Sequence, residues 1–123
     1  MNAMDTPSAP SLLLVDDDPL VRVTLAMGLD DEGFRVVEAD SGEAALALIK
    51  DGLEPSVVIT DINLGPGISG VDLANHLAEV RPDLRVVLIS GRWRPPSPET
   101  LADERPFLAK PFPLTALARL AKP

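Results

Sequence analysis

Asp16-Asp17-Asp18, Asp61, Ser90 and Lys110 each follow directly on a short apolar run, and together they carry the groups that phosphoryl chemistry needs. The runs are Leu12-Leu13-Leu14-Val15, Val57-Val58-Ile59-Thr60, Leu84-Arg85-Val86-Val87-Leu88-Ile89 and Phe107-Leu108-Ala109. A short, nearly continuous apolar run bounded by turn residues reads as a buried parallel strand. In an open α/β sheet, ligands gather at the carboxyl edge of such strands. Carboxylates brought to one edge raise each other's pKa, and a bound cation relieves the conflict. All-oxygen ligation by a few carboxylates suits Mg²⁺. A hydroxyl from Ser90 and an ammonium from Lys110 at the same edge complete a set suited to phosphoryl transfer, where catalysis is mostly positioning and charge neutralisation. Asp61 is the candidate nucleophile, since carboxylates form aspartyl phosphates.

These residues must be held by one fold. The chain has 123 residues, enough for one domain with a core of its own. It has no cysteine, which excludes disulfides, thiolate metal sites and cysteine nucleophiles and fits a reducing compartment. The start, Met1-Asn2-Ala3-Met4-Asp5-Thr6-Pro7, lacks a basic segment followed by an apolar one, so no signal peptide is visible. No apolar run approaches the ~20 residues of a membrane span. The expected location is therefore cytoplasmic. The formal net charge of −8 argues against nucleic-acid or anionic-membrane partners.

Residues 1–11 read as a loose tail and residues 12–123 as the domain. Pro19 suits a first helical position and Asp18 its N-cap. The first helix is expected to run to about Asp31, with Leu20, Val23 and Met27 on one face and Gly33 ending it. Phe34–Ala39 reads as the second strand. A helix capped by Asp40 or Ser41 follows, burying Ala45, Leu48 and Ile49 and stopping at Asp51-Gly52. A third helix begins near Ser69 or Gly70, with Leu73, Leu77 and Val80 at helical spacing. Between strands four and five, Arg92-Trp93-Arg94-Pro95-Pro96-Ser97-Pro98 holds three prolines, so helix four is short or irregular. Pro113 opens a last helix, with Leu114, Leu117, Ala118 and Ala121 on one face. Repeated βα units with apolar strands imply an α/β fold whose parallel sheet is covered on both faces. Right-handed crossovers point to a doubly wound five-stranded sheet of order 2-1-3-4-5, the flavodoxin-like arrangement. In that order Asp16, Asp17 and Asp61 share one crevice.

The stretches Leu12-Leu13-Leu14-Val15-Asp16-Asp17-Asp18-Pro19, Thr60-Asp61, Ile89-Ser90-Gly91 and Phe107-Leu108-Ala109-Lys110-Pro111-Phe112 resemble the receiver domain of bacterial two-component response regulators, from about Leu12 to Ala121. The resemblance implies that Asp61 accepts a phosphoryl group from a histidine kinase or phosphotransfer protein. It implies that Asp16 and Asp17 hold Mg²⁺, with the backbone carbonyl of Asn63 completing the protein ligands. Ser90 then bonds one phosphoryl oxygen and Lys110 pairs with another. Phe107 is the aromatic that turns inward as Ser90 moves, a population shift between two states. Such a protein is a switch that acts by binding a partner, not an enzyme beyond its own phosphorylation and dephosphorylation. The chain ends thirteen residues after Lys110, so a stand-alone, complete receiver is expected.

Two features depart from the family. Gly65 stands between Leu64 and Pro66, where the family usually has an apolar residue followed at once by proline, so this loop is one residue longer. The proline-rich segment replaces helix four, which in the family belongs to the output face. Two other functions compete with the switch. Asp16-Asp17-Asp18 also fits the Asp-x-Asp pattern of haloacid-dehalogenase-like phosphatases, with Asp16 as nucleophile and Asp18 as acid/base. That reading leaves Asp61 idle and finds no acidic motif after Lys110. The other is a receiver-like interaction module that is never phosphorylated. His76, the lone histidine, reads as structural or solvated. Trp93 reads as a cover for the gap left by the short helix, or else as a partner anchor.

Overall fold

Strands with Leu, Val and Ile at successive positions are stable only when both faces are covered, and the chain folds to that rule. The computed structural model describes residues 10–91 and 106–122. Its elements are β1 (Ser11–Val15), α1 (Pro19–Asp31), β2 (Arg35–Ala39), α2 (Gly42–Lys50), β3 (Val57–Asp61), α3 (Gly70–Val80), β4 (Arg85–Ser90), β5 (Phe107–Ala109) and α4 (Leu114–Ala121). The five strands form one parallel sheet in the order β2-β1-β3-β4-β5, as the sequence implied.

Alternation along each strand sends neighbouring side chains to opposite faces. Leu13, Val15, Val58, Val86 and Leu88 pack with Ala45 of α2 and Leu73 and Leu77 of α3. Leu12, Leu14, Val57, Ile59, Val87 and Ile89 pack on the other face with Ala26 and Leu29 of α1 and Leu117, Ala118 and Ala121 of α4. The two half-cores lie on opposite faces of the sheet.

Helix starts follow local capping chemistry. Asp18 caps α1, its Oδ1 accepting from the Leu20 and Val21 amides at 3.0 and 3.2 Å, and Pro19 takes the first turn. Ser41, not Asp40, caps α2 through the Ala44 amide at 3.0 Å. Ser69 and Asp72 form a capping box on α3.

Some expectations are revised. Leu20, Val23 and Met27 do share a face of α1, but it is the outward one, with exposures of 76, 44 and 65%. The inward stripe is instead Ala26 and Leu29, turned away from the Leu20, Val23 and Met27 face. Val80, in the last turn of α3, is also exposed, beyond the reach of the sheet that buries Leu73 and Leu77. β1 begins at Ser11, one residue before the expected strand, and β2 and β4 each begin one residue later. The proline-rich stretch, the expected irregularity of helix four and Trp93 lie outside the described residues. Among the described residues, no helix is long and apolar enough to cross a membrane.

Candidate functional site

β1, β3, β4 and β5 deliver their last residues to one side of the sheet. Asp16 continues β1, its amide donating to the Ala39 carbonyl at 3.1 Å, and is wholly enclosed. Its Oδ1 accepts from the Asp18 amide at 2.9 Å and its Oδ2 from Lys110 Nζ at 3.3 Å. Arg22, from the first turns of α1, donates to the Asp16 carbonyl at 2.9 Å and pairs with Glu38 at 3.1 Å, tying α1 to the end of β1 and to β2.

Asp61 ends β3 and is nearly buried. Its Oδ1 accepts from the Asn63 amide at 2.9 Å and its Oδ2 from Lys110 Nζ at 3.0 Å. Asp17 is exposed, yet it offers a carboxylate oxygen to the same cluster. One oxygen each from Asp16, Asp17 and Asp61 lie within 4.8 Å of one another. Ser90 ends β4 and is buried. The Lys110 amide donates to its carbonyl at 2.8 Å, and this bond sets Lys110 beside the cluster. Asp16, Asp17, Asp18, Asp61, Asn63 and Lys110, with Gly65 and Gly91, line a cavity of about 180 Å³.

The electrostatics follow from one ammonium facing three carboxylates. Burial pushes the Asp16 carboxyl above its ordinary 3.8, and the negative charge of Asp61 adds to that, against the opposing bond from the Asp18 amide and the charge of Lys110. Burial alone would lower Lys110, but its bond to Asp61 and the charges of Asp16 and Asp61 outweigh it and raise the lysine above 10.5. Among the described residues the pocket remains short of positive charge, and its candidate metal ligands are all oxygen. That donor set fits a hard divalent cation.

Asp16, Asp17, Asp61, Asn63 and Lys110 all reach the pocket that the sequence assigned to them. Ser90 joins through Asn63, whose side-chain nitrogen donates to Ser90 Oγ at 3.3 Å. Phe107 lies apart, half-buried on the α2–α3 side of the sheet and paired in register with Leu88. Asp18 lines the pocket rim, but its Oδ1 is committed to the helix cap. His76 sits with Asp72, Asn75 and Glu79 beside Ile68, away from the pocket. Sequence reasoning missed the side-chain contact of Asn63 with Ser90 and the support of the Asp16 backbone by Arg22. Both join residues on different elements, and no spacing rule announces them.

The longer loop is built on left-handed glycines. Gly65 and Gly67 have φ of 74° and 96°, a region that side chains with a Cβ rarely adopt. A Cβ on Gly65 would also stand 3.3 Å from Asp17 Oδ2, so the extra residue forms part of the pocket wall. The loop closes at Gly70, whose amide donates to the Ile62 carbonyl at 2.8 Å.

Comparison with known proteins agrees with this architecture. A family model described as the response regulator receiver domain matches residues 12–122. The C4-dicarboxylate transport transcriptional regulatory protein DctD of Pseudomonas aeruginosa is 39% identical over 109 residues, 86% of this chain and 23% of that protein. The sensor kinase CckA of Brucella abortus is 33% identical over 123 residues, 98% of this chain and 13% of that protein. The chain thus spans less than a quarter of the length of either relative. Among solved structures, a response regulator receiver protein from Sinorhizobium medicae superposes with a TM-score of 0.82 at 28% identity, covering 92% of this chain and 91% of that one. The receiver domain of NtrX from Brucella abortus gives 0.79 at 31% identity, covering 89% of this chain and 92% of that one. No relative of the phosphatase alternative stands among these matches. With the doubly wound sheet, the acidic pocket at its carboxyl edge and a family match along nearly the whole chain, this protein belongs to the response regulator receiver domains of two-component systems.

Proposed function

We propose that Asp61 accepts the phosphoryl group in this receiver. The observation that carries the assignment is the Lys110 ammonium, which bridges Asp61 and the enclosed Asp16 at 3.0 and 3.3 Å within an otherwise acidic pocket. A phosphohistidine on a histidine kinase or phosphotransfer protein is the donor. An Asp61 carboxylate oxygen attacks phosphorus, the P–N bond breaks, and the imidazole leaves with the bond's electron pair and takes a proton from water. Lys110 pairs with one phosphoryl oxygen and the Ser90 hydroxyl donates to another. Asp16 and Asp17, with Asp61 and the Asn63 backbone carbonyl, would hold Mg²⁺. Bound there, the ion neutralises charge on the phosphoryl oxygens.

The donor must cover the mouth of the pocket. The outward apolar face of α1 begins near there, at Leu20, two residues from Asp18, and its exposed Leu20, Val23 and Met27 supply the apolar surface against which such a protein can pack. Ser90 drawn toward the phosphate gives up its bond to Asn63, and Phe107, on the neighbouring strand, follows it inward. The output is a change in partner binding, and the protein is a switch whose only chemistry is its own phosphorylation and hydrolysis. A cytoplasmic location accords with a chain that has no cysteine.

Acetyl phosphate with Mg²⁺ tests the assignment. Acid-labile phosphate should appear on Asp61, located by mass spectrometry, and vanish in Asp61→Asn. Label on Asp16 would instead make the protein a phosphatase-like enzyme, and no label, even with cognate kinases, would make it an inert module.

A further inference from the structure

The β3–α3 loop runs from Ile62 to Ser69 and carries two parts of the pocket, Asn63 and Gly65. Its first half is held by Asp61, through the Asn63 amide. Its second half is held from outside. The Ile68 amide donates to Glu43 Oε2 at 2.9 Å, and Glu43 stands in the first turn of α2. The fit is reciprocal. A Cβ on Gly67 would lie 2.5 Å from the same Glu43 oxygen, and a Cβ on Gly42 would lie 2.5 Å from Ile68 Cγ1. Two glycines thus make room for the two partners. Glu43 touches neither Asp61 nor the other carboxylates.

We infer that Glu43 is a positioning residue of the acidic site: by holding the Ile68 amide it keeps Asn63 and Gly65 at the pocket wall, and so sets the affinity for Mg²⁺. The inference rests on the assignment of the metal and phosphoryl group to this pocket. Its physical basis is the strength of a carboxylate as acceptor for a backbone amide and the sensitivity of a metal site to the groups that orient its ligands. The loop's own bonds hold its ends, at Asn63 and Gly70, while the span between them turns on two left-handed glycines, so the external anchor at Ile68 decides where that span stands.

The competing account is electrostatic. Glu43 brings a negative charge toward a cation site, and its loss would weaken the cation with no change in the loop. Three variants separate the two. Glu43→Gln removes the charge but keeps an acceptor of the same reach. Glu43→Asp keeps the charge but falls short of the Ile68 amide. Glu43→Ala removes both. Mg²⁺ titration of the full, unphosphorylated chain by isothermal calorimetry should show Kd within about twofold of the parent for Glu43→Gln, and about tenfold weaker for Glu43→Asp and Glu43→Ala. Hydrogen exchange of the metal-free chain gives a second reading that needs no cation. The amides of Asn63, Gly65 and Ile68 should exchange faster in Glu43→Asp and Glu43→Ala alone. Unchanged Kd and exchange in Glu43→Ala would overturn the inference, and so would losses that follow charge rather than reach. A parent chain that binds no Mg²⁺ would overturn it together with the site assignment. A parent that binds Mg²⁺ yet takes no label on Asp61 would overturn the phosphoacceptor alone, with the Glu43 series still read by calorimetry.

Discussion

Two loops feed the same pocket, and they are built in opposite ways. The β1–α1 turn is shaped by short-range side-chain bonds, with Arg22, Ala39 and Lys110 bracing Asp16 from outside. Asp16 bonds the Asp18 amide, Asp18 caps α1, and every such contact spans two or three residues. The β3–α3 loop is held at a distance. Its contacts reach Glu43, 25 residues back, and Ser90, 27 residues on, and its shape needs two glycines at positive φ. The first loop is stiff because its own aspartates pay out their oxygens to nearby amides. The second takes its form from neighbours, which suits the movement of Ser90 proposed above. The comparison teaches where this site is rigid and where it can be tuned.

The strongest way to break the dependent loop is at its closure. A Cβ on Gly70 would overlap the Asp61 carbonyl oxygen and press on the Ile62 backbone, with no flexible side chain to give way. Gly70→Ala should cost about 3 kcal/mol in urea unfolding, the upper range for overpacking, and should abolish labelling of Asp61 by acetyl phosphate. A variant with parental stability would show that the loop can close elsewhere, and the contrast between the loops would fail.

Lys110 joins the two loops, and removing it comes next in size. Lys110→Met leaves the enclosed Asp16 without its cation, at about 2 kcal/mol, below the usual cost of breaking a fully buried pair because the lysine is partly exposed. The pH dependence has a definite sign. Lys110 is raised in the fold, so its contribution is fully present below its ordinary 10.5 and is lost as pH rises through the folded value. Thermal unfolding of the parent should therefore lose this part of its stability above about pH 10.5, and Lys110→Met should lack that alkaline step. Asp16 acts the other way at neutral pH. Its raised pKa makes its contribution fullest below 3.8 and lost as pH rises through the folded value, so its buried charge is a cost that a bound cation relieves. An identical alkaline limb in both proteins would remove Lys110 from the pairing.

The same contrast governs what could be read from sequence. The strands were legible as short apolar runs, clearest in β1, β3 and β4 and weakest in β2, which carries Arg35 and Glu38, and the parallel sheet followed from βα alternation. Asp16, Asp61, Ser90 and Lys110 were legible because each ends or directly follows a strand, and a parallel sheet lines up its strand ends, whereas Asn63 came only with the family resemblance. Asp18 was legible as a cap because Pro19 follows it. What escaped had no local signature. The outward turn of Leu20, Val23 and Met27 was hidden because the inward stripe of α1 rests on Ala26 and Leu29, and the sheet leaves room there for little more. Glu43 looks like any first-turn acid of a helix, and only the folded chain brings it to Ile68.

The smallest effect tests the loop shaped by short-range bonds. Asp18→Ala removes the two bonds that cap α1 and should cost about 1 kcal/mol in unfolding, with Asp18→Asn restoring most of it. Asp16 keeps its own bond to the residue 18 amide, which is backbone and survives the substitution. Asp61 should then be labelled at a rate within about twofold of the parent, as expected of sites that share no partner. The assay is the same acetyl phosphate reaction, run well below the unfolding temperature of the variant. A far larger fall in labelling would mean that the cap organises the pocket as well as the helix. The β1–α1 turn would then depend on one side chain much as the β3–α3 loop depends on Glu43, and the difference between the two would be one of distance along the chain alone.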